Sequence, residues 1–248
     1  MNINHPTPEQ IPSLRTLWKE AFGDFDPFLD AFFATAFDEK RCLAVNGADA
    51  VCYWLDCACA GQKIAYLYAV ATAKHRQGQG FCRALMEQAK QVMARQGYAG
   101  ILLVPGSEKL RHMYAKMGFS DATSIHEFAL PASRPQSLQR LTAQQYAAQR
   151  QALLPAGAAV EGPKMLAFLA TQAEFYRLGD TICAAVQESN RLFLPELLGE
   201  PEHAAAIAAS LGCETVTARA PGSEKKWAMY CPLTEDAPEP THFSFALD

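Results

Sequence analysis

Between Lys63 and Gly97 the spacing of apolar residues changes period across a short turn that carries two glycines. Ile64, Tyr66, Tyr68 and Val70 alternate with period two in β-favouring residue types, which predicts a strand over Lys63–Thr72. After Gln77-Gly78-Gln79-Gly80, residues Phe81, Ala84, Leu85, Ala89, Val92 and Met93 fall on one face of a 3.6-residue period, which predicts a helix stopped by Gly97. Such a strand, turn and helix gathers first-turn N–H groups that have no intrahelical acceptor, and the helix dipole favours an anion there. Gly78 and Gly80 let the backbone approach a pyrophosphate without an intervening side chain. Two other phosphate motifs are excluded. The dinucleotide fingerprint needs a third glycine where Arg83 stands, and a Walker A loop needs Gly-Lys-Ser/Thr, which the chain lacks.

The next segment narrows the reading. Ala99–Val104 is a short, almost wholly apolar run of the kind found in strands buried on both faces. A short helix is predicted from about Glu108, and Tyr114 stands four residues before Gly118-Phe119. Gln77, two residues, Gly80, one residue and a small residue resembles the pyrophosphate signature of the GNAT N-acetyltransferases, and Tyr114 resembles that family's second landmark. The resemblance covers roughly residues 5 to 130. It implies an α/β (α+β) mixed sheet of the acyl-CoA N-acyltransferase (GNAT) fold and a transferase that uses acetyl-CoA as cosubstrate. The acceptor it implies is a primary amine of a small molecule or peptide, attacking directly in a ternary complex. It further implies that Gln77, Gly78, Gln79, Gly80, Phe81 and Cys82 hold the pyrophosphate, that Val70, Ala71 and Thr72 pair with the pantetheine arm, and that Tyr114 is the general acid. Cys82 departs from the family, which has Gly or Ala there; as a small residue it should preserve the loop, and a reactive thiol is the alternative. The base stays open between Glu127, His126 and the terminal carboxylate of Asp248. A non-catalytic acyl-CoA-binding or regulatory protein on the same scaffold, or a structural tandem without cofactor, are the rival readings.

Pro131 to Ser137 reads as a linker, after a strand at Ser124–Leu130 expected to close the first sheet. Further helices are predicted from Thr142 to about Leu153, from Pro163 to about Arg177 and from Glu202 to Leu211. Strands are predicted at Thr181–Gln187, Arg191–Leu198 and Thr215–Ala220, with Pro195 making the middle one an edge or bulged strand. Pro105-Gly-Ser-Glu-Lys, three residues, Met113-Tyr114 recurs as Pro221-Gly-Ser-Glu-Lys, three residues, Met229-Tyr230. This repeat points to tandem halves: a GNAT domain over 1–130, a linker over 131–141 and a degenerate GNAT-like domain over 142–248. Gly199-Glu200-Pro201-Glu202 stands where the second half would need its glycine turn, and two carboxylates would repel a pyrophosphate. The arrangement resembles the enhanced-intracellular-survival (Eis) type of aminoglycoside acetyltransferase, as does Val70-Ala71-Thr72 with Gln77 seven residues after Val70. That group carries a third, sterol-carrier-like domain for which this sequence leaves no room, so the resemblance does not carry the aminoglycoside acceptor over to this chain.

The remaining composition is permissive. Half of the 248 residues are apolar and the formal net charge is −4, with Lys and Arg scattered, so no nucleic-acid footprint is expected. The apolar runs are too short for a membrane span and Met-Asn-Ile-Asn-His-Pro is no signal peptide, which predicts a cytoplasmic protein without a membrane partner. The eight cysteines form no Cys-x-x-Cys pair and the six histidines are dispersed, so the cysteines read as small core residues in a reducing compartment and no metal is expected. A homo-oligomer stays open.

Overall fold

The structure is a computed structural model that describes residues 1–245. In chain order its first elements are β1 (Ile3–Asn4), α1 (Ile11–Phe22), α2 (Asp26–Thr35), β2 (Cys42–Val45), β3 (Ala50–Cys59), β4 (Gln62–Thr72), α3 (Phe81–Arg95), β5 (Gly100–Leu103), α4 (Glu108–Ala115) and β6 (Ser120–Asp121). There follow β7 (Ser124–Pro131), β8 (Gln139–Leu141), α5 (Ala143–Leu153), β9 (Val160–Glu161), α6 (Pro163–Gln172), β10 (Glu174–Leu178), β11 (Thr181–Glu188) and β12 (Arg191–Leu198). The last are α7 (His203–Ser210), β13 (Thr215–Pro221), β14 (Lys225–Lys226) and β15 (Met229–Pro232). No described helix is long and apolar enough to cross a membrane.

Two compact units form, each from three stretches of chain. The first comprises Met1–Ser120, Val160–Phe168 and Met229–Glu239. Its sheet runs β1-β2-β3-β4-β5-β15-β6, with β9 paired to β3. Asn46 and Gly47 both take positive φ (48° and 92°) in the turn that joins β2 to β3, as the Asn-Gly pair predicts. Side chains alternate along β3 and β4. Cys52, Trp54, Ala65 and Leu67 join Phe81, Leu85, Met86, Ala89 and Met93 of α3 in one core. On the opposite side an aromatic cluster forms: Trp18 of α1 lies 5.1 Å from Tyr53 and 5.6 Å from Tyr68, and Phe32 of α2 packs beside it at 4.7 Å. Full burial of a side chain such as Leu85, Met86 or Phe32 contributes about 1.5–3 kcal/mol relative to exposure.

The second unit comprises Asp121–Ala159, Leu169–Ala228 and Pro240–Asp248. Its sheet runs β14-β7-β13-β12-β11-β10-β8. The plan of the first sheet recurs: antiparallel strands lead to β12, α7 crosses over, β13 returns parallel to β12, and an antiparallel strand completes that side.

Three sequence expectations are corrected. The strand at Ser124–Leu130 is real but pairs with β13, while β15 pairs with β5 and completes the first sheet. The helix from Pro163 stops at Gln172, and Glu174–Leu178 is a strand. Phe175 and Tyr176 favour β structure, and Gly179 (φ 59°) turns the chain into a hairpin with β11. The 131–141 linker is not free of structure, because β8 pairs with β10, and Ala132 and Ser133 donate to the Glu214 and Ala205 carbonyls. Of the two alternatives expected at Pro195, the bulge is the one found: β12 is central in its sheet, and its ladder with β11 shifts register between Ala184 and Val186.

Candidate active site

The parallel pairing of β4 with β5 is short. It joins Ile64 to Gly100, Ala65 to Ile101 and Tyr66 to Leu102 and then ends, whereas β4 continues to Thr72. The two strands therefore part, leaving the β5-facing edge of Leu67–Thr72 without a strand partner. A bulge lies in this stretch. Ala69 has φ 49°, and the register with β3 slips between Val51 and Tyr53. A non-glycine residue in the left-handed region costs roughly 1–2 kcal/mol, and bulges of this kind re-aim strand groups beside functional sites. No glycine marks this bulge, so the sequence alone gives no sign of it.

Beyond Thr72 the chain enters the predicted turn. Gly78 and Gly80 have φ 75° and 82°, a Cβ on either would meet nothing within 4 Å, and no side chain caps α3. The conformation demands glycine at both positions, and the space above them is open. The first-turn N–H groups of α3 thus face outward with no protein acceptor on their own helix. The turn is braced from behind. Arg76 Nε donates to Asp49 Oδ1 at 3.0 Å and its guanidinium lies 5.5 Å from the Phe81 ring centre. The Asn46 amide and Arg76 hold the Asp49 carboxyl below the usual carboxylate range. Gln77 Nε2 donates to the Thr72 carbonyl at 3.3 Å, so its side chain ties the turn to the end of β4.

Tyr114 lies on α4, which Ser107 caps by accepting from Leu110 N at 3.2 Å. The phenol is 6% exposed and packs edge-on against Phe119, 5.8 Å between ring centres. Burial raises its pKa well above the ordinary tyrosine value, with Cys82 and Cys52 adding to the shift. Tyr114 therefore keeps its proton at neutral pH. Burial likewise pushes the Cys82 thiol up to about 11, so it is a neutral packing group and the reactive-thiol alternative loses support.

The other candidates belong to the second unit or fall outside the described residues. Glu127 and His126 stand on β7 in the second unit. Glu127 is bound by Arg219 at 2.9 Å and by Lys225 at 2.5 Å. Burial raises its pKa, but the two cations prevail and hold it below the usual range, which makes it a weak base. His126 stacks on Phe128 at 4.8 Å, with Nδ1 3.3 Å from Glu224. Asp248 lies outside the described residues. Among the described residues no group of three His, Cys, Asp or Glu side chains is arranged to hold a metal.

A mixed sheet that parts beside a bulged strand, with an open glycine turn at the following helix, has the architecture of the acyl-CoA N-acyltransferases. Residues 5–119 match the model of the acetyltransferase (GNAT) family, and this segment has that family's fold. No curated protein matches the sequence. Solved structures similar to the whole chain include a GCN5-related N-acetyltransferase from Anabaena variabilis (16% identity, 94% of this chain and 73% of that one, TM-score 0.69). Another from Kribbella flavida is similar at 16% identity, covering 92% and 70% of the two chains with a TM-score of 0.68. Eis1 from Mycobacterium abscessus is similar at 12% identity, covering 96% and 75% with a TM-score of 0.68. At these identities the likeness is one of fold.

Proposed function

We propose that the protein transfers an acetyl group from acetyl-CoA to a primary amine of a small molecule or peptide by direct attack in a ternary complex. The observation that carries this reading is the open, uncapped N-terminus of α3 behind two left-handed glycines. Backbone N–H groups from Gly78 to Cys82 would hold the pyrophosphate there. The edge of β4 at Val70, Ala71 and Thr72, left unpaired where β5 departs, suits the amides of the pantetheine arm as an added strand. Acetyl-CoA supplies the acyl carbonyl carbon. Tyr114 keeps its proton on Oη and acts as a hydrogen-bond donor for the leaving sulfur. The amine must arrive neutral to attack, so turnover should rise as pH approaches the acceptor's own pKa.

Isothermal titration with acetyl-CoA and with CoA tests the reading. Binding is expected in the wild type and its loss in Gly80→Glu, which places a strained, anionic side chain on the turn. Failure of the wild type to bind either ligand overturns the proposal. Binding without turnover in a broad amine screen would instead favour an acyl-CoA-binding protein.

A further inference from the structure

Beside the glycine turn, along the flank of α3, lies a second feature that the pyrophosphate reading does not use. Arg83, Met86, Glu87 and Lys90 recur at i, i+3, i+4 and i+7 and so form one stripe of the helix. With Lys116 and Met117, which follow α4, they line a cavity of about 240 Å³. Met86 is fully buried and forms the floor. Lys90 is already committed, donating to the Met117 carbonyl and lying 5.1 Å from the Phe119 ring centre. It fixes the wall of the cavity rather than serving a ligand. Arg83 and Lys116 differ. Both are exposed at the rim, and neither makes an ion pair among the described residues. Most other arginines of the first unit are engaged: Arg15 by Asp26 and Asp30, Arg41 by Asp38 and Asp56, Arg76 by Asp49, Arg111 by Glu108. Glu87 is the one carboxylate in the lining, and three cations against it leave the cavity net positive.

Two uncommitted cations at the rim of an apolar-floored cavity, one of them in the first turn of a phosphate-binding helix, fit a second phosphate attached to a flat apolar group. We propose that Arg83 and Lys116 form a subsite for the 3′-phosphate of the cosubstrate's adenosine and set selectivity for CoA over dephospho-CoA. This rests on the acetyl-CoA reading above. Arg83 has a guanidinium fork suited to phosphate oxygens, and Lys116 supplies a point charge opposite. Because both are exposed, their contribution is screened by salt.

The test is titration of acetyl-CoA and acetyl-dephospho-CoA into the wild type and into Arg83→Ala/Lys116→Ala, at low and at high salt. The wild type is expected to bind acetyl-CoA about tenfold more tightly, the factor that roughly 1.4 kcal/mol represents. The double variant should bind both ligands alike, at the wild type's affinity for the dephospho form, and high salt should narrow the wild-type gap. Both substitutions are on exposed positions, and an unchanged melting temperature verifies the fold. Equal wild-type affinity for the two ligands overturns the subsite while leaving the acetyl-CoA reading intact. A gap that survives in the double variant also overturns it. Absence of binding by either ligand overturns both.

Discussion

The two crossover helices occupy matching places in their sheets, yet only one has an open N-terminus. At α3 the turn is built from left-handed glycines with open space above them, and no side chain caps the helix. At α7 the same place is filled by the chain itself. Thr181 Oγ1 accepts from Glu200 N at 2.9 Å and lies 2.7 Å from His203 Nδ1. His203 N and Ala204 N donate to the carbonyls of Glu200 and Pro201, each at 3.1 Å. Gly199 is close-packed, since a Cβ there would fall 2.4 Å from Thr181 Oγ1. One topology thus serves two ends. In the first unit no side chain caps the helix and the space at its glycines is open. In the second the amides are spent on stability, and two carboxylates stand beside them.

The second unit carries this stabilising role into its interior. Arg150 and Glu196, 2% and 0% exposed, form a two-pronged pair at 2.5 and 2.9 Å. Tyr146 also donates to Glu196, and Ser244 hydrogen-bonds it. His242 Nε2 lies 2.6 Å from Ser244 Oγ, and the hydrogen bond between Ser244 and Glu196 fastens this stretch to β12. The largest expected effect follows. Glu196→Ala removes the carboxylate that two guanidinium nitrogens of buried Arg150 contact, and chemical denaturation should show a loss of about 3–5 kcal/mol. The pH dependence has a definite sign. Burial raises the Glu196 pKa, but Arg150 prevails and holds the carboxyl below its ordinary range. Its stabilisation is therefore present above the ordinary glutamate pKa and is lost as pH falls through the folded-state value. Denaturation curves of wild type and Glu196→Ala should differ at pH 7 and draw together as pH falls toward about 3; a gap of the same size at both pH values would break the assignment.

Next in size is Tyr114→Phe, which should lower kcat by about 100-fold, at the low end for a lost general acid. The acetyl-CoA affinity should stay unchanged, and a Kd that worsens in step with kcat would make Tyr114 a packing residue. Smaller is the comparison of the two repeat copies. Ser107→Ala removes a helix cap and should cost about 1 kcal/mol by thermal unfolding. Ser223→Ala, at the matching repeat position but capping no helix, should stay within about 0.5 kcal/mol. The sharpest contrast predicts no effect at all. Glu200→Ala/Glu202→Ala should leave the titrated stoichiometry at one acetyl-CoA per chain, because the α7 amides remain occupied; a second site would show that charge alone had closed it.

The repeat shows where reading a sequence reaches its end. Its first copy builds the start of α4 and carries Tyr114 on that helix. Its second copy pairs Lys225 and Lys226 with β7 and places Met229 and Tyr230 in a strand. Gly222 there lies so close to His126 that a Cβ would fall 2.5 Å from that residue's own Cβ. The same seven residues follow whichever partner is near. Leu110-Arg111-His112 continue a helix in one copy, while Trp227 N and Ala228 N find Thr123 in the other. Where the local signal was strong the reading held. The alternation of β4, the helical face of α3, the Gly78 and Gly80 turn and the Thr142 cap of α5 were all legible.

What the sequence determined by itself was therefore local: periods, caps and turns, whose energies arise between neighbours a few residues apart. It determined the glycine turn before α3 because glycine conformation and helix termini are local properties. Tertiary structure decided the rest. It placed β15, rather than the nearer β7, beside β5, it put the bulge at Ala69, and it closed the α7 terminus through Thr181. Each of these depends on a strand edge or a hydroxyl supplied from far along the chain, and no pattern of neighbouring residues encodes which distant partner arrives.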